Sequence, residues 1–286
     1  MGADMPASAD APARVSRGIG DLGPRLASGL VLAAIALVLN YAGLGWLALL
    51  VLAVGLIMSW EWGRVVRRGE VDAALIVHGL AVAVAVLLAV LGLPAMGAVA
   101  LLVAMGVVAL VESGRRPLIS ALGVAYVGLP AVALLWLRGD EPLGAAAVLL
   151  VLLIVWTSDT AAFAAGRTFR GPKLWPRVSP NKTWSGLAGA LVGSAVAGAL
   201  FAAVSGLGTP ACLAGKGLLL GLVAQLGDLA ESSLKRGFGV KDASTLIPGH
   251  GGFMDRADSM VAATLAAAIL AALVGAGAPA RALLGC

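Results

Sequence analysis

Residues 143–163 read LGAAAVLLVLLIVWTSDTAAF, an almost unbroken apolar run with one acidic residue, Asp159, near its end. A run of about 20 apolar residues is long enough to cross the hydrocarbon core of a bilayer as a helix. Ionisable side chains inside such runs are rare and indicate function. The run therefore predicts a membrane-spanning helix that carries a functional carboxylate near one end.

The same pattern repeats along the chain. Of its residues, 60% are hydrophobic and only 12% are charged, which is about half the charged fraction of a typical soluble domain. Similar apolar stretches recur at residues 26–42, 44–60, 73–91, 94–111, 118–137, 186–206, 211–228 and 259–277. Together they predict an all-α, polytopic integral membrane protein of about nine transmembrane helices.

Positive charges indicate how these helices are oriented. If the N-terminus is cytoplasmic and the spans alternate, every Lys and Arg except Arg138, Lys216 and Arg281 falls on the cytoplasmic side, as the positive-inside rule requires. We therefore expect a multi-pass protein of the cell (inner) membrane with two long cytoplasmic loops, residues 158–185 and 228–258. The formal net charge of +5 is then explained by these loops, and no nucleic acid partner is expected.

The chain divides into three parts. Residues 1–25 are polar and rich in Ala, Pro and Asp, and they predict a disordered cytoplasmic tail. Residues 26–140 hold the N-terminal membrane helices, and residues 141–286 form a C-terminal catalytic membrane region that contains both long loops. Because long loops in compact proteins tend to carry function, the functional residues are expected there.

The second loop begins with polar residues at helical spacing. Asp228, Glu231, Ser232 and Lys235 are separated by intervals of three and four residues. Side chains at that spacing share one face of a helix. The structural alternative is a set of helix-end contacts, for example an ion pair between Asp228 and Lys235, and it stays open for each residue taken alone.

Asp255 and Asp258 share a face in the same way at the start of the last span. Carboxylates beside membrane spans are costly unless they are paired or bound to an ion, and a few hard oxygen ligands suit Mg²⁺ together with substrate phosphates. Basic residues suited to phosphate oxygens accompany them, namely Lys235, Arg236, Lys241 and Arg256. Acidic pairs combined with cations are typical of phosphoryl or nucleotidyl transfer.

Glycines surround the histidine of the second loop. Gly249, Gly251 and Gly252 flank His250, and glycine lets backbone N–H groups approach an anion closely. His250 itself either orients a phosphate or has a purely structural role.

Polar residues of the first loop extend this pattern. Asp159 is a functional candidate, and its alternative is an ion pair with Arg167 or with a lysine of the second loop. The run Ser179-Pro180-Asn181-Lys182-Thr183 predicts a turn that ends at a helix N-terminus, where hydroxyl, N–H and ammonium groups suit a phosphate. Glu61, at the inner end of the second span, is not explained by composition, and contact with a basic loop is one interpretation.

These residues resemble a known family. The motif consists of Ser232-Ser233-Leu234-Lys235-Arg236, four further residues, Lys241-Asp242, then His250-Gly251-Gly252 and Asp255-Arg256-Ala257-Asp258. It is similar to the defining motif of the phosphatidate cytidylyltransferases, also called CDP-diacylglycerol synthases. The first loop resembles the same family through Ser158-Asp159-Thr160, Gly166-Arg167 and the run 179–183. Two positions depart from it: Phe163, where relatives usually have Tyr, and Ser185, where they usually have Glu.

The resemblance implies transfer of a cytidylyl group from CTP to phosphatidic acid in phospholipid biosynthesis, giving CDP-diacylglycerol and pyrophosphate. Asp228 and Asp255 match the positions that hold the divalent metal, so Mg²⁺ is the implied cofactor, with a second cation such as K⁺ alongside. The residues expected to carry catalysis are Asp228, Lys235, Arg236, Lys241, Asp255, Arg256 and Asp258. Those expected to bind substrate are Asp159, Arg167, Ser179, Asn181, Lys182, Thr183, Ser232, His250, Gly251 and Gly252.

The expected partners are CTP, phosphatidic acid and the lipid bilayer, and relatives imply a homodimer. Three alternatives remain. A transporter would carry polar groups near the midplane of several spans, whereas here they cluster at one end. A nucleotidyltransferase could use another lipid phosphate or nucleotide. A catalytically inactive relative should have lost an acidic position of the motif, and none is lost here.

Overall fold

The computed structural model describes residues 22–69, 71–113, 116–246 and 251–285, with the side chains of the first helix described from residue 28 onward. The elements are α1 (Leu22–Ala42), α2 (Leu44–Arg67), α3 (Ala73–Val90), α4 (Pro94–Val111), α5 (Pro117–Arg138), α6 (Gly144–Phe169), β1 (Lys173–Trp175), β2 (Ser179–Thr183), α7 (Trp184–Ser205), α8 (Pro210–Gly237), α9 (Met254–Gly275) and α10 (Pro279–Leu284).

Eight of these helices, α2 to α9, are long and apolar enough to cross a membrane. Residues 28–42 of α1 add a shorter apolar segment. Large apolar side chains face outward along the bundle, among them Leu80, Leu110, Val204 and Leu273. Such exposure is costly in water but not in hydrocarbon, because lipid tails are as apolar as leucine. The prediction of an all-α polytopic membrane protein is confirmed.

Small residues let the C-terminal helices approach one another closely. Helix α7 packs between α6 and α8. A Cβ atom added at Gly198 of α7 would lie 2.1 Å from the carbonyl oxygen of Leu213, and one added at Gly217 of α8 would lie 2.3 Å from that of Ser194. In a membrane, close backbone contact of this kind replaces the missing hydrophobic driving force between helices. These two glycines therefore fix the spacing of α7 and α8.

The loops differ from the prediction in length. Helix α6 continues to Phe169 and α8 to Gly237, so the connections run only over residues 170–183 and 238–253. The predicted loops, residues 158–185 and 228–258, are longer than these connections. The prediction ended each helix where polar residues lower the hydropathy, but the backbone of α6 and α8 stays helical beyond that point. At 26 and 28 residues, α6 and α8 exceed the roughly 20 residues that a span needs.

The first connection also contains a small antiparallel hairpin, formed by β1 and β2. The run 179–183 is therefore a strand rather than the expected turn. The helix N-terminus that it was expected to precede is present, because Thr183 caps α7 by accepting a hydrogen bond from the N–H of Gly186 at 3.0 Å. The hairpin fixes the direction in which the side chains of β2 point.

The predicted division of the chain is only partly visible in the structure. Of the tail assigned to residues 1–25, residues 1–21 lie outside the described part, and the last four begin α1. The two membrane regions, 26–140 and 141–286, pack on one another, since α2 and α5 both contact α9. Their separate roles stay predictions.

Candidate active site

A cavity of about 750 Å³ opens where the last turns of α6 and α8 meet the first turns of α7 and α9. Ten of the residues predicted for the site line it. They are Asp159, Arg167, Asn181, Lys182, Thr183, Asp228, Lys235, Asp255, Arg256 and Asp258. These residues come from four elements, α6, β2, α8 and α9, so tertiary packing brings together side chains that are up to about a hundred positions apart.

Lys182 joins the β-hairpin to α8. Its Nζ atom lies 2.8 Å from Oδ2 of Asp228, with 18% and 28% of the two side chains exposed. The same ammonium donates to the carbonyl oxygen of Gln225 at 3.3 Å and to its side-chain Oε1 at 3.2 Å. The predicted alternative for Asp228, a pair with Lys235, is wrong. Both Asp228 and Lys182 remain reachable from the cavity.

Asp159 is bound through neutral groups rather than through a cation. Its Oδ1 atom accepts hydrogen bonds from Nε2 of Gln225 at 3.0 Å and from the hydroxyl of Ser259 at 3.4 Å. The ion pair with Arg167 that the sequence left open is not among its contacts. Asp159 lies ten residues before the end of α6, deeper than the single turn expected, because the helix is longer than its apolar part. Gln225 thus connects Asp159 to Lys182.

Asp255 is a buried carboxylate of the cavity with contacts to both α8 and the second connection. Its Oδ2 atom accepts from the backbone N–H of Gly252 at 2.8 Å and from that of Ala243 at 3.0 Å, and its Oδ1 atom pairs with Lys235. Only 5% of its side chain is exposed. Gly251 adopts φ +82°, and a Cβ there would lie 3.0 Å from Oδ2 of Asp255. Two glycines therefore shape the backbone that fixes this carboxylate.

The polar face predicted on α8 is confirmed. Ser232 donates to Oδ1 of Asp228 at 3.3 Å, and Nζ of Lys235 lies 2.6 Å from Oε2 of Glu231. Glu231 is fully buried and neither of its oxygens has a well-oriented hydrogen bond among the described residues. At this distance the buried carboxylate and the ammonium of Lys235 form an ion pair. Lys235 then bridges α8 to Asp255 of α9.

Glu61, from the N-terminal half of the chain, contacts the start of α9 beside the cavity. This side chain of α2 is completely buried. It accepts from the N–H of Phe253 at 2.9 Å, from the N–H of Met254 at 2.6 Å and from the hydroxyl of Ser244 at 2.5 Å. A carboxylate at a helix N-terminus satisfies free N–H groups and the positive end of the helix dipole. Glu61 therefore anchors the turn of α9 that carries Asp255.

This anchoring leaves no room for a side chain at residue 252. A Cβ built on Gly252 would lie 2.5 Å from Oε1 of Glu61. We expect Gly252→Ala to displace Glu61 and to destabilise the protein by about 1–3 kcal/mol, measured as a lower melting temperature in detergent. Gly237→Ala is the matched control, since nothing lies within 4 Å of its Cβ position. Equal melting temperatures for the two variants would contradict the packing described.

Other predicted residues lie beside the cavity rather than on its wall. Arg236 donates to the carbonyl oxygens of Val178 at 3.4 Å and Val240 at 3.1 Å, so it holds the hairpin turn and the start of the second connection. Lys241 is exposed. The remaining predicted residues outside the lining are Ser179, Ser232, Gly251 and Gly252. His250 lies outside the described residues. The predicted roles of all these residues stay predictions.

The sequence reasoning missed several residues of the site. Asp242, Gln225 and Ser259 line the cavity but were not selected. Asp242 lies inside the recognised motif, so the motif itself was a sufficient signal. Gln225 and Ser259 are single polar residues at the ends of apolar runs, and only their contacts with Asp159 distinguish them. The suggested contact of Glu61 with a basic loop is confirmed, since its partners Ser244, Phe253 and Met254 lie within the predicted loop 228–258; the sequence did not show that the contact caps α9.

The donor set of the cavity fits a hard divalent cation. Five carboxylates line it, those of Asp159, Asp228, Asp242, Asp255 and Asp258. Among the described residues, no three acidic, His or Cys side chains are grouped as a complete set of protein ligands. Mg²⁺ typically needs only one or two carboxylates, with waters and substrate phosphates completing its shell. Asp228 of α8 and Asp255 of α9 lie on helices that pack on one another. They are suited to supply these one or two carboxylates.

Comparison with known proteins identifies the family of the chain. The sequence matches the Cytidylyltransferase family over residues 24–274. The chain belongs to this family. A phosphatidate cytidylyltransferase of Brucella suis is 39% identical over 250 residues, which cover 85% of this chain and 90% of that relative. The phosphatidate cytidylyltransferase of Bacillus subtilis is 37% identical over 141 residues, which cover 49% of this chain and 52% of that relative. The one of Staphylococcus aureus is 42% identical over 141 residues, which cover 49% of this chain and 53% of that relative. The resemblance that the motifs indicated is confirmed.

Proposed function

We propose that this cytidylyltransferase transfers a cytidylyl group from CTP to phosphatidic acid and releases pyrophosphate. The observation that carries the proposal is the composition of the 750 Å³ cavity. It combines five carboxylates with the cations of Arg167, Lys182, Lys235 and Arg256 at the polar ends of membrane helices. Phosphoryl and nucleotidyl transfer depend on positioning and charge neutralisation, which such a set supplies. The names of the relatives agree with this reaction.

The walls of the cavity suit substrates from two phases. Its lining includes three large apolar residues, Phe163 of α6, Leu174 of the hairpin and Leu187 of α7. Phe163 is 66% exposed and belongs to a membrane-spanning helix, so we infer that this part of the lining faces the lipid. An acylated phosphate can enter from the bilayer on this side while a nucleoside triphosphate enters from the aqueous side. A purely soluble substrate pair would not need the apolar wall.

The reaction itself needs no strong general base. A phosphate oxygen of phosphatidic acid attacks the α-phosphorus of CTP, and the bond from that phosphorus to the oxygen bridging to the β-phosphate breaks. Pyrophosphate leaves with this oxygen and its electron pair. The nucleophile is already an anion, so the barrier lies in bringing two polyanions together.

Two ion pairs prepare the cavity for that task. Lys182 is paired with Asp228, and Lys235 with Asp255. We infer that incoming phosphate oxygens take over the two lysines and release the two carboxylates. Mg²⁺ bound to those carboxylates would neutralise charge on the triphosphate and on the departing pyrophosphate. A second cation such as K⁺ belongs to the same proposal.

Lys182 offers a direct test of triphosphate binding. Loss of one charge-assisted hydrogen bond costs about 1.5–3 kcal/mol, so we expect Lys182→Gln to raise the KM for CTP roughly 10- to 100-fold. Lys173→Gln is the matched control, because Lys173 is an exposed lysine of the same hairpin that does not line the cavity. Steady-state kinetics with varied CTP measure both. An unchanged KM for Lys182→Gln would remove this lysine from the CTP site.

We also propose that the cavity faces the cytoplasm and that the protein resides in the inner membrane. The distribution of Lys and Arg supports this orientation. Single cysteines introduced at exposed positions such as Lys173 test it, because they should react with an impermeant reagent in inverted vesicles but not in intact cells. The homodimer stays a prediction.

A product assay tests the proposed reaction. The protein, purified in detergent, is given labelled CTP, phosphatidic acid and Mg²⁺, and CDP-diacylglycerol and pyrophosphate should form in equal amounts. Parallel reactions with dCTP, other nucleotides and other lipid phosphates establish the specificity. Product from another lipid phosphate alone would identify a different nucleotidyltransferase. A folded protein that forms no product with any pair would overturn the proposal.

A further inference from the structure

A second polar cavity of about 230 Å³ lies apart from the candidate active site and shares none of its lining residues. It is formed by the last turn of α2, the first turn of α5, the residue after α4 and the residue after α8. Three arginines line it, Arg67, Arg68 and Arg116, together with one acidic residue, Glu112. The cavity is therefore predominantly cationic.

Arg67 is the decisive residue of this cavity. Its side chain is only 4% exposed, and its Nε atom donates to Oδ2 of Asp72 at 2.8 Å. Both terminal nitrogens, Nη1 and Nη2, are buried without a hydrogen bond partner among the described residues. A buried guanidinium with unused donors is costly. Both nitrogens are sealed from solvent, and Nη2 packs against Gly63 of the same helix, so the guanidinium must turn toward the cavity before these donors bind an acceptor there.

A second buried group in the same cavity also lacks a partner. Ser120, on the first turn of α5, is fully buried, and its hydroxyl has no hydrogen bond in the described part of the chain. Arg116, one turn earlier, is exposed and stacks on the ring of Phe238 at 4.6 Å. Stacking keeps its guanidinium at the cavity without occupying its N–H donors. All three residues line the cavity, so one small anion can engage Arg67, Arg116 and Ser120 together once the Arg67 guanidinium turns inward.

The position of the cavity indicates where that anion comes from. Arg67 ends a membrane-spanning helix, and Pro117 begins another, so the cavity lies at the level where spans leave the bilayer. Basic pockets between transmembrane helices typically hold anionic lipid headgroups, and guanidinium groups match phosphate oxygens with two parallel hydrogen bonds. We propose that this cavity binds the headgroup phosphate of an anionic phospholipid, separately from the substrate lipid.

Native mass spectrometry of the full chain in detergent tests this proposal, with phosphatidylglycerol as the anionic lipid and phosphatidylcholine as the zwitterionic control. We expect phosphatidylglycerol to be retained more strongly. Arg116→Gln and Arg67→Gln should each weaken its binding by about tenfold. Arg116 is exposed, so its variant should fold even if Arg67→Gln does not. Arg64→Gln is the matched control, because Arg64 lies on the same helix but over Trp60 and outside the cavity.

The outcomes separate the possible sources of the anion. Retention that falls in the two cavity variants but not in Arg64→Gln supports a lipid headgroup site. Full competition by inorganic phosphate at millimolar concentration would instead indicate a site for a free anion and overturn the lipid assignment. Equal retention of phosphatidylglycerol by all three variants, or equal retention of both lipids, would overturn the proposal entirely. None of these results depends on whether the protein transfers cytidylyl groups.

Discussion

Replacing Asp255 with asparagine is expected to lower turnover by more than about 100-fold, the typical effect of losing one preorganised electrostatic group. Asparagine keeps the size of the side chain and one acceptor oxygen for the N–H groups of Gly252 and Ala243. It loses the charge that pairs with Lys235 and that we propose to hold Mg²⁺. The measurement is the rate of CDP-diacylglycerol formation as Mg²⁺ is varied.

Asp140→Asn is the matched control for this substitution. Asp140 also accepts from two backbone N–H groups at a helix start, those of Ala280 at 2.8 Å and Arg281 at 3.1 Å, but it does not line the cavity. Asp255→Asn should lose the more stability, because it also breaks a buried ion pair with Lys235, but both variants should fold, and only Asp255→Asn should lose turnover. Near-normal activity of Asp255→Asn with an unchanged requirement for Mg²⁺ would remove this residue from the proposed metal site.

Removing the carboxylate of Glu61 should have the largest effect on stability. In Glu61→Ala the hydroxyl of Ser244 and the N–H groups of Phe253 and Met254 lose their acceptor. Leaving buried donors unpaired costs about 1–3 kcal/mol each, so we expect a total loss of roughly 3 kcal/mol or more and a melting temperature lower by on the order of 10 °C. Thermal unfolding in detergent measures this change.

A second measurement separates positioning by Glu61 from general stability. Glu61→Gln retains one acceptor oxygen and should recover part of the stability, but its amide N–H₂ faces the donors of α9 and should still reduce turnover below the melting temperature. Glu141→Ala serves as control, since Glu141 is 63% exposed and pairs with Arg138 at the other end of the bundle. Arg138 is buried, but it keeps its hydrogen bond to the carbonyl oxygen of Asn40 when Glu141 is removed, so we expect Glu141→Ala to cost less stability than Glu61→Ala. If Glu61→Ala behaved like Glu141→Ala, the proposed anchoring of α9 would be wrong.

The candidate site shows how far local sequence patterns extend. The spacing of Asp228, Glu231, Ser232 and Lys235 predicted a shared helical face, and α8 has that face, because helical periodicity depends only on residues within two turns. The partners of these side chains were predicted less well. Asp228 pairs with Lys182 of the hairpin instead of Lys235, since a helix face specifies a direction and leaves open which element it meets.

Sequence by itself determined the membrane-spanning helices and the residue types at their polar ends. Hydropathy and helical spacing are local properties, and crossing hydrocarbon requires every backbone polar group to be satisfied within a helix. Only the tertiary structure decided that Glu61 caps α9, that Gln225 connects Asp159 to Lys182, and that a hairpin fills the first connection. The contact of Glu61 with Phe253 joins residues 192 positions apart. Such contacts depend on how helices pack through small residues, and no spacing along the chain encodes that packing.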